Sequence, residues 1–231
     1  MAPGGDLAAE TTEPTAAPEP DDAALSDLVA RARRILAEQL AAPAAPPADA
    51  GARPVAAAAA ADPATRPTPD APLAPRLQPG ADRRVAIGAD HGGTELKRVL
   101  VDLLDELGWE ALDVGTHGTD AVDYPDFAVK VARAVARGEA WRGIMIDGVG
   151  IGSAMVANKV PGVRAATVYD EATAVSSREH NDANVLVLGS GQVNRGLARR
   201  LVRIWLATAF AGGRHQRRVQ KIADLDRERS R

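Results

Sequence analysis

The clearest indication of the fold is GIMIDGVGIG, residues 143–152, in which a short apolar run leads into a glycine loop. Such a run predicts a buried strand, and the pattern beyond it predicts a helix. Glycines let the backbone turn tightly, and N–H groups at a helix start can hold an anion. Asp147 lies at the junction, so the loop indicates an anion or oxyanion site beside a carboxylate. A tight packing turn without a ligand is the alternative.

The chain on either side alternates between short β-rich runs and helical patterns. Strands are predicted at 85–88, 110–114, 143–146, 163–168 and 184–188. Helices are predicted at 95–107, at 127–137, from the glycine loop to about 158, and at 171–179, 195–211 and 214–227. Single helices between strands imply parallel crossovers, so residues 83–231 predict a Rossmann-like α/β domain with a doubly wound, five-stranded parallel sheet. Ligands of such sheets bind beyond the carboxyl ends of the strands.

Composition excludes several classes of protein. The chain has 231 residues, a formal net charge of −3 and no cysteine, which excludes a disulfide framework and a cysteine nucleophile. No apolar run approaches the roughly 18–20 residues that span a bilayer. The near-neutral charge gives no general reason to expect nucleic acid as a partner. We therefore expect a cytoplasmic protein that binds neither membrane nor nucleic acid.

Residues 1–82 differ from the rest of the chain and hold 14 of its 16 prolines. Residues 1–20 have almost nothing apolar enough to bury and are predicted to be disordered. Residues 43–82 predict a semi-stiff Ala/Pro-rich linker, because proline fixes its own φ and restricts the residue before it. Residues 21–42 between them predict an amphipathic helix, whose apolar stripe consists of Leu25, Leu28, Val29, Ala32, Leu36 and Leu40.

The apolar stripe of this helix needs a partner, because an isolated helix of this length is marginal in water. The helix can fold back on its own domain or on a sister subunit. Alternatively, a short amphipathic helix on an Ala/Pro-rich linker resembles the encapsulation peptides that carry enzymes into bacterial microcompartments, and a shell protein would then be the partner. A membrane surface is disfavoured because residues 21–42 contain no aromatic anchor.

Four basic side chains could hold an anionic ligand. His91 follows the first predicted strand and His180 comes just ahead of the fifth, and we expect both at one rim of the sheet. Arg214 and Arg218 are four residues apart, so they share a helix face and could clamp a phosphate. The alternatives are structural histidines and a solvated basic face or nucleic-acid patch, although the charge balance argues against nucleic acid.

Several motifs carry a more specific signal. They are GADHGG at 88–93, DYP at 123–125, the glycine loop running on to ANK at 157–159, HNDANV at 180–185 and GRHQRR at 213–218. Together they resemble the ribose-5-phosphate isomerase B family, which includes relatives that act on galactose and allose 6-phosphates. The resemblance covers about residues 83–226, in order and without a large gap.

The resemblance implies aldose–ketose isomerisation, an intramolecular oxidoreduction through an enediolate, without metal or organic cofactor. It places four side chains at the sugar: Asp90 and His180 would open the ring, and Tyr124 and Asn181 would contact the sugar. It places three at the phosphate, namely His91, Arg214 and Arg218. The oxyanion-binding amides would be those of Gly148, Gly150 and Gly152. Active sites of this family lie between subunits, so a homodimer or tetramer is expected.

Some positions depart from the family pattern. Asp147 stands where many members place a cysteine base, and a carboxylate can move the same proton if desolvation raises its pKa. Other members without this cysteine have a glutamate just after the glycine loop, where this chain has Ser153. Val149 replaces a hydroxyl residue that assists at the sugar, and Gly191 stands where a phosphate-binding arginine is common. We therefore predict Asp147 as the proton-transfer base.

The leading hypothesis is an isomerase of ribose 5-phosphate to ribulose 5-phosphate that works inside a microcompartment. An isomerase of a hexose 6-phosphate is an alternative. Val149 and Gly191 also leave open a weak or inactive family member that binds sugar phosphate or has a structural role. A dinucleotide-binding module is excluded, because the glycine loop has the wrong spacing and follows the third strand.

Overall fold

The computed structural model describes residues 22–41 and 83–229, so the predictions for 1–20 and 43–82 lie outside the described residues. The helices are α1 (Asp22–Ala41), α2 (Thr94–Glu106), α3 (Tyr124–Ala136), α4 (Ile151–Ala157), α5 (Glu171–Glu179), α6 (Arg195–Ala207) and α7 (Arg214–Arg229). A 3₁₀ turn covers His91–Gly93. The strands are β1 (Arg84–Ala89), β2 (Glu110–Asp113), β3 (Arg142–Asp147), β4 (Ala165–Thr167) and β5 (Val185–Gly189).

The five strands form one sheet in the order β2-β1-β3-β5-β4, and every neighbouring pair is parallel. β3 lies at the centre and is buried along its whole length. The chain extends the sheet in opposite directions from β1 and β3, so the switch point lies between the carboxyl ends of these two strands. The predicted doubly wound α/β fold is confirmed.

Helices cover both faces of the sheet. Successive strand residues point to opposite faces. On one face, Ile87, Ile146 and Leu188 join α2, α5 and α6 in the larger apolar core. On the other face, Met145 and Val187 pack with α3 and α4. Since both faces are covered, the two ends of the strands are the surfaces that remain for a ligand.

Two helix boundaries differ from their predicted positions by three residues or more. α3 begins at Tyr124 rather than at 127, because Pro125 lies in its first turn, where a missing N–H leaves no partner unsatisfied. α6 ends at Ala207 rather than at 211, because Thr208 has extended backbone. The Thr208 carbonyl accepts hydrogen bonds from the guanidinium groups of Arg142 and Arg178, which hold the chain in its new direction.

Helix α1 packs against α5 and α6 and contributes to the larger apolar core. Val29, Ala32 and Leu36 are buried in this contact, and Leu25 and Leu28 are partly buried. The helix thus folds back on its own domain, which is one of the partners that the sequence left open for its apolar stripe. Among the helices of residues 22–41 and 83–229, none is both long and apolar enough to cross a membrane.

Candidate active site

Two carboxylates meet at the switch point of the sheet. Asp147 ends β3 and Asp90 directly follows β1, and the Asp90 N–H donates to the carbonyl of Ile146 at 3.1 Å. Asp147 is 5% exposed and Asp90 is 8% exposed. Side chains of this kind are seldom buried unless hydrogen bonds compensate them. Both residues that the sequence singled out after these strands therefore lie at the expected edge, side by side.

The Asp147 carboxylate is bound by the glycine loop that follows it. It accepts hydrogen bonds from the backbone N–H groups of Val149 at 2.8 Å, of Ser153 at 3.2 Å and of Gly150. Gly150 has a φ of +88°, a conformation that favours glycine. The Gly150 amide, which the sequence predicted as an oxyanion donor, thus points at the side chain that the sequence predicted as the base.

The loop is held in place from β5 and β4. The N–H groups of Ser190 and Gly191 donate to the carbonyls of Asp147 and Gly148 at 2.7 and 3.1 Å. The Thr167 hydroxyl donates to the carbonyl of Gly150 at 2.9 Å. Because three strands position one loop, its amides keep their direction without help from a ligand.

Asp90 is held by the 3₁₀ turn that it caps. Its carboxylate accepts from the N–H of Gly93 at 3.1 Å, and a Cβ at Gly93 would lie 2.8 Å from the Ile146 carbonyl oxygen. Burial raises the pKa of Asp90, and the negative charge of Asp147 raises it further. Hydrogen bonds from Gly92 and Gly93 and the charge of His91 act in the opposite direction. The pair therefore has one carboxyl group that is predisposed to hold a proton.

Replacing Asp90 by asparagine should stabilise the protein at neutral pH. A raised pKa means that the folded state binds more protons than the unfolded state, so ionised Asp90 destabilises the fold above its unfolded pKa near 3.8. Asparagine keeps the acceptor for Gly93 and carries no charge. We expect Asp90→Asn to raise Tm at pH 7 by about 2–4 °C, which corresponds to about 1 kcal/mol in a domain of this size.

Thermal denaturation at pH 7 and near pH 4 tests this expectation. The stabilisation should shrink at the lower pH, because both states of the parent protein then become protonated. Asp102→Asn, at an exposed position of α2, is the matched control and should leave Tm nearly unchanged. A fall in Tm for Asp90→Asn at pH 7 would contradict the assignment of unfavourable charge to Asp90.

Tyr124 and His91 border the two carboxylates. The Tyr124 ring packs against the backbone of Gly152, where a Cβ would lie 2.6 Å from the ring. Glycine is therefore needed at this position for the ring to approach the loop. His91 is exposed, and its Nδ1 accepts from the Val122 N–H at 3.3 Å.

The other predicted residues form a second cluster at the opposite edge of the sheet. His180 follows the last residue of α5 and Asn181 comes next, both ahead of β5. Because all strands are parallel, residues ahead of β5 lie at its amino end, and Asp90 and His91 lie at the carboxyl ends. The expectation that His91 and His180 share one rim was wrong. Across the five residues of β5, the two edges are roughly 16 Å apart.

His215 is the central residue of this second cluster, and the sequence did not assign it a role. Its ring stacks on that of His180 with centroids 4.2 Å apart, and its Nε2 accepts from Arg214 Nε at 3.3 Å. Burial lowers the pKa of His215, His180, Arg214 and Arg218 lower it further, and Glu179 acts in the opposite direction. Its place inside GRHQRR was the one signal that could have indicated it.

Asp182 anchors the segment that carries His180 and Asn181. Its carboxylate binds Arg164 and Arg178, each at 3.0 Å, and its φ is +49°. Asp182 is the one non-glycine residue with positive φ within the described ranges. These two ion pairs hold the turn ahead of β5 in one conformation. Asp182 is thus a second residue of the site region that the sequence left without a role.

No group of three or more His, Asp or Glu side chains that could hold a metal ion exists among residues 22–41 and 83–229. The carboxyl edge has two carboxylates and a loop of N–H donors. The amino edge has two imidazoles and the guanidinium groups of Arg214 and Arg218, which suit an anionic group.

Comparison with known proteins shows which family the chain matches. The family described as Ribose/Galactose Isomerase matches residues 85–222, more than half of the chain, and α1 lies outside the match. Ribose-5-phosphate isomerase B of Escherichia coli is 43% identical over 148 residues, which cover 64% of this chain and 99% of that protein.

Two solved structures give the same result. Ribose-5-phosphate isomerase B of Clostridium thermocellum is 51% identical with a TM-score of 0.62, over 63% of this chain and 99% of that one. Type B ribose 5-phosphate isomerase of Trypanosoma brucei is 46% identical with a TM-score of 0.61, over 62% of this chain and 99% of that one.

Proposed function

This chain belongs to the ribose/galactose isomerase family, and from that membership we propose that it isomerises a sugar phosphate, ribose 5-phosphate to ribulose 5-phosphate. The observation that carries the proposal is the buried pair of Asp90 and Asp147 beside a loop of N–H donors at the switch point. Two carboxyl groups in unlike surroundings can divide the roles of acid and base. The names of the Escherichia coli and Clostridium thermocellum relatives support the same substrate.

We infer that two subunits build each active site. The carboxyl-edge cluster holds Asp90 and Asp147, and the amino-edge cluster holds His180, Arg214 and Arg218. Separated by the height of the sheet, they cannot contact one pentose phosphate within a single subunit. A second copy that places its amino edge over the carboxyl edge of the first would complete the site. In a symmetric dimer this contact occurs twice.

An exposed apolar surface beside the glycine loop supports this arrangement. Val149, Ile151, Met155 and Tyr169 are each more than half exposed. Exposed apolar side chains that lie close together commonly mark an interface. A second subunit covering them would also exclude water from the two carboxylates. A homodimer, or a tetramer made of such dimers, follows from this proposal.

The proposed reaction begins when His91, Arg214 and Arg218 hold the phosphate. Asp90 and His180 exchange protons with the ring oxygen and the hydroxyl on the anomeric carbon, which opens the ring, and Tyr124 and Asn181 contact the sugar. Its raised pKa suits Asp90 to donate a proton at this step. The open chain then presents its aldehyde at the glycine loop.

Asp147 next removes the proton from the carbon beside the aldehyde. The electron pair of that C–H bond forms the carbon–carbon double bond of the enediolate, and the aldehyde oxygen takes the negative charge. The charge thus moves from the carboxylate to the substrate, and the loop amides that bind the carboxylate, with those of Gly148 and Gly152, can donate hydrogen bonds to the new oxyanion. A proton then passes from the hydroxyl of the neighbouring carbon to the former aldehyde oxygen. Asp147 returns its proton to the former aldehyde carbon while the neighbouring carbon forms the carbonyl group, which gives the ketose.

An assay of the full chain tests the proposed function. Ribose 5-phosphate, galactose 6-phosphate and allose 6-phosphate are supplied separately, and ketose formation is followed. We expect turnover with ribose 5-phosphate, although Val149 and Gly191 lack two contacts that relatives have. A missing charge-assisted contact costs about 1.5–3 kcal/mol, so KM should be raised by roughly tenfold or more.

The outcome of this assay separates the alternatives. Turnover of a hexose 6-phosphate alone would reassign the substrate. Binding of all three sugar phosphates by a folded protein without turnover would overturn the isomerase and favour a family member that only binds sugar phosphates.

We also propose, from the resemblance of residues 21–42 to encapsulation peptides, that this cytoplasmic enzyme is packaged in the lumen of a bacterial microcompartment. A shell protein would bind the apolar face of α1 that here contacts α5 and α6, so the two contacts would compete. In cells that make the matching shell, a fluorescent protein fused to residues 1–45 should concentrate inside the microcompartments. Diffuse fluorescence would contradict the packaging.

A further inference from the structure

Helix α1 reaches the amino-edge cluster through one ion pair. Arg33 Nε binds the carboxylate of Glu179, the last residue of α5. The Glu179 side chain is largely buried, and that of Arg33 is half exposed. The pair joins α1, which lies outside the family match, to a residue that directly precedes His180.

Glu179 is placed where its charge matters to the cluster. Its carbonyl accepts from the Ala211 N–H at 3.1 Å, so the end of α5 is tied to the segment that leads into α7. Its carboxylate acts on His215 in the direction opposite to His180, Arg214 and Arg218. Without a partner, this carboxylate would be an uncompensated negative charge that acts on His215 together with Arg214 and Arg218, the two arginines that are available for a phosphate.

An uncompensated carboxylate near a phosphate site weakens binding in two ways. It repels the anionic substrate, and it competes for the guanidinium groups that would bind the substrate. Arg33 removes both effects because it supplies the countercharge from another helix. A lone, half-exposed ion pair is weak. The buried contacts of Val29, Ala32 and Leu36 hold α1 against the domain, and Arg33 is thereby kept in place.

We propose that α1 is a positioning element of the phosphate site, which keeps Arg214 and Arg218 available to the substrate by pairing Arg33 with Glu179. The proposal rests on the proposed function of the amino-edge cluster. Any partner that captures the apolar face of α1 must first release it from α5 and α6. Binding of that partner and binding of substrate are then coupled, and each weakens the other by the same factor.

The test is Arg33→Gln in the full chain, compared with Arg34→Gln. Arg34 is exposed on the same helix, so its replacement makes the same charge change at the neighbouring position. We expect Arg33→Gln to raise KM by about twofold to fivefold, the range for a partly exposed ion pair, with kcat nearly unchanged. Arg34→Gln should leave both constants close to those of the parent, and Arg33→Lys should restore most of the affinity.

A pH profile and a double substitution separate this role from a structural one. With Arg33 lost, the charge of Glu179 is no longer offset, so His215 beside Arg214 and Arg218 should protonate more easily, and the pH dependence of KM should shift towards higher pH. The charged and titratable groups that face His215 are Glu179 at the end of α5, His180 directly after it, and Arg214 and Arg218 from α7. Adding Glu179→Gln to Arg33→Gln should bring KM back towards the parent value.

Equal KM values and pH profiles for Arg33→Gln, Arg34→Gln and the parent, at equal Tm, would overturn the proposal. A double variant whose KM is no lower than that of Arg33→Gln would also overturn the proposal. If the parent protein shows no isomerase activity, the same variants are compared by their Kd for inorganic phosphate. A larger Kd for Arg33→Gln alone, which means weaker phosphate binding, would then support the role of α1 although the proposed reaction had failed.

Discussion

Asp147→Asn is expected to reduce isomerase turnover by about 10²–10⁴-fold, the usual contribution of a positioned general base. Asparagine cannot take the proton from the sugar carbon. Its oxygen can still accept from the amides of Val149 and Gly150, but its NH₂ group would face the N–H of Ser153. A donor facing a donor costs about 1–3 kcal/mol, so Tm is measured beside kcat to show that the variant is folded.

Asp147→Cys is the matched variant for this experiment. Many members of the family place a cysteine base at this position, so a thiolate here should restore turnover well above that of Asp147→Asn. Recovery by cysteine would separate loss of the base from damage to the glycine loop, because cysteine also lacks the acceptors that hold the loop. Near-parental turnover of a folded Asp147→Asn variant would instead indicate that Asp90 is the base.

Mixed dimers of Asp147→Asn and His180→Asn subunits should regain activity that neither variant has alone. If each site takes Asp147 from one subunit and His180 from the other, a mixed dimer has one site with both substitutions and one with neither. Random pairing makes half of the dimers mixed, so about one quarter of the parental activity is expected. The expectation follows from the opposite edges of the sheet at which the two residues lie.

The two variants are unfolded together, refolded and assayed, with each variant refolded alone as the control. A second mixture, Asp147→Asn with Asp90→Asn, should also be assayed. These two residues lie at the same edge, so their mixed dimers have no intact site and should stay inactive. Activity in the second mixture but not in the first would contradict the shared site.

Most of the fold could be predicted because it depends on local pattern. The apolar run at 143–146 and the alternation of strands and helices are short-range features, and they led to the parallel sheet that the structure has. The end of α6, which was predicted at 211, depends instead on distant groups. α6 stops at Ala207 because Arg142, from β3, and Arg178, from α5, bind the Thr208 carbonyl, and no local pattern announces such partners.

The candidate site was predicted less completely. Asp90 and Asp147 follow strands, so the rule for parallel sheets placed them correctly. His180 precedes a strand, and the same rule places it at the far edge, against the expectation. His215 and Asp182 gained their roles only from a ring stack and two ion pairs with residues distant in sequence.

The sequence by itself determined the parallel α/β class, the family and the residue types of both clusters. These are properties of composition, periodicity and motif, which act over a few residues. Tertiary structure alone decided that the Asp147 carboxylate takes the amides of its own loop, and that α1 packs on α5 and α6 with Arg33 on Glu179. The reason is physical: an apolar stripe or a carboxylate specifies what kind of partner it needs, and only the packed chain specifies which one it meets.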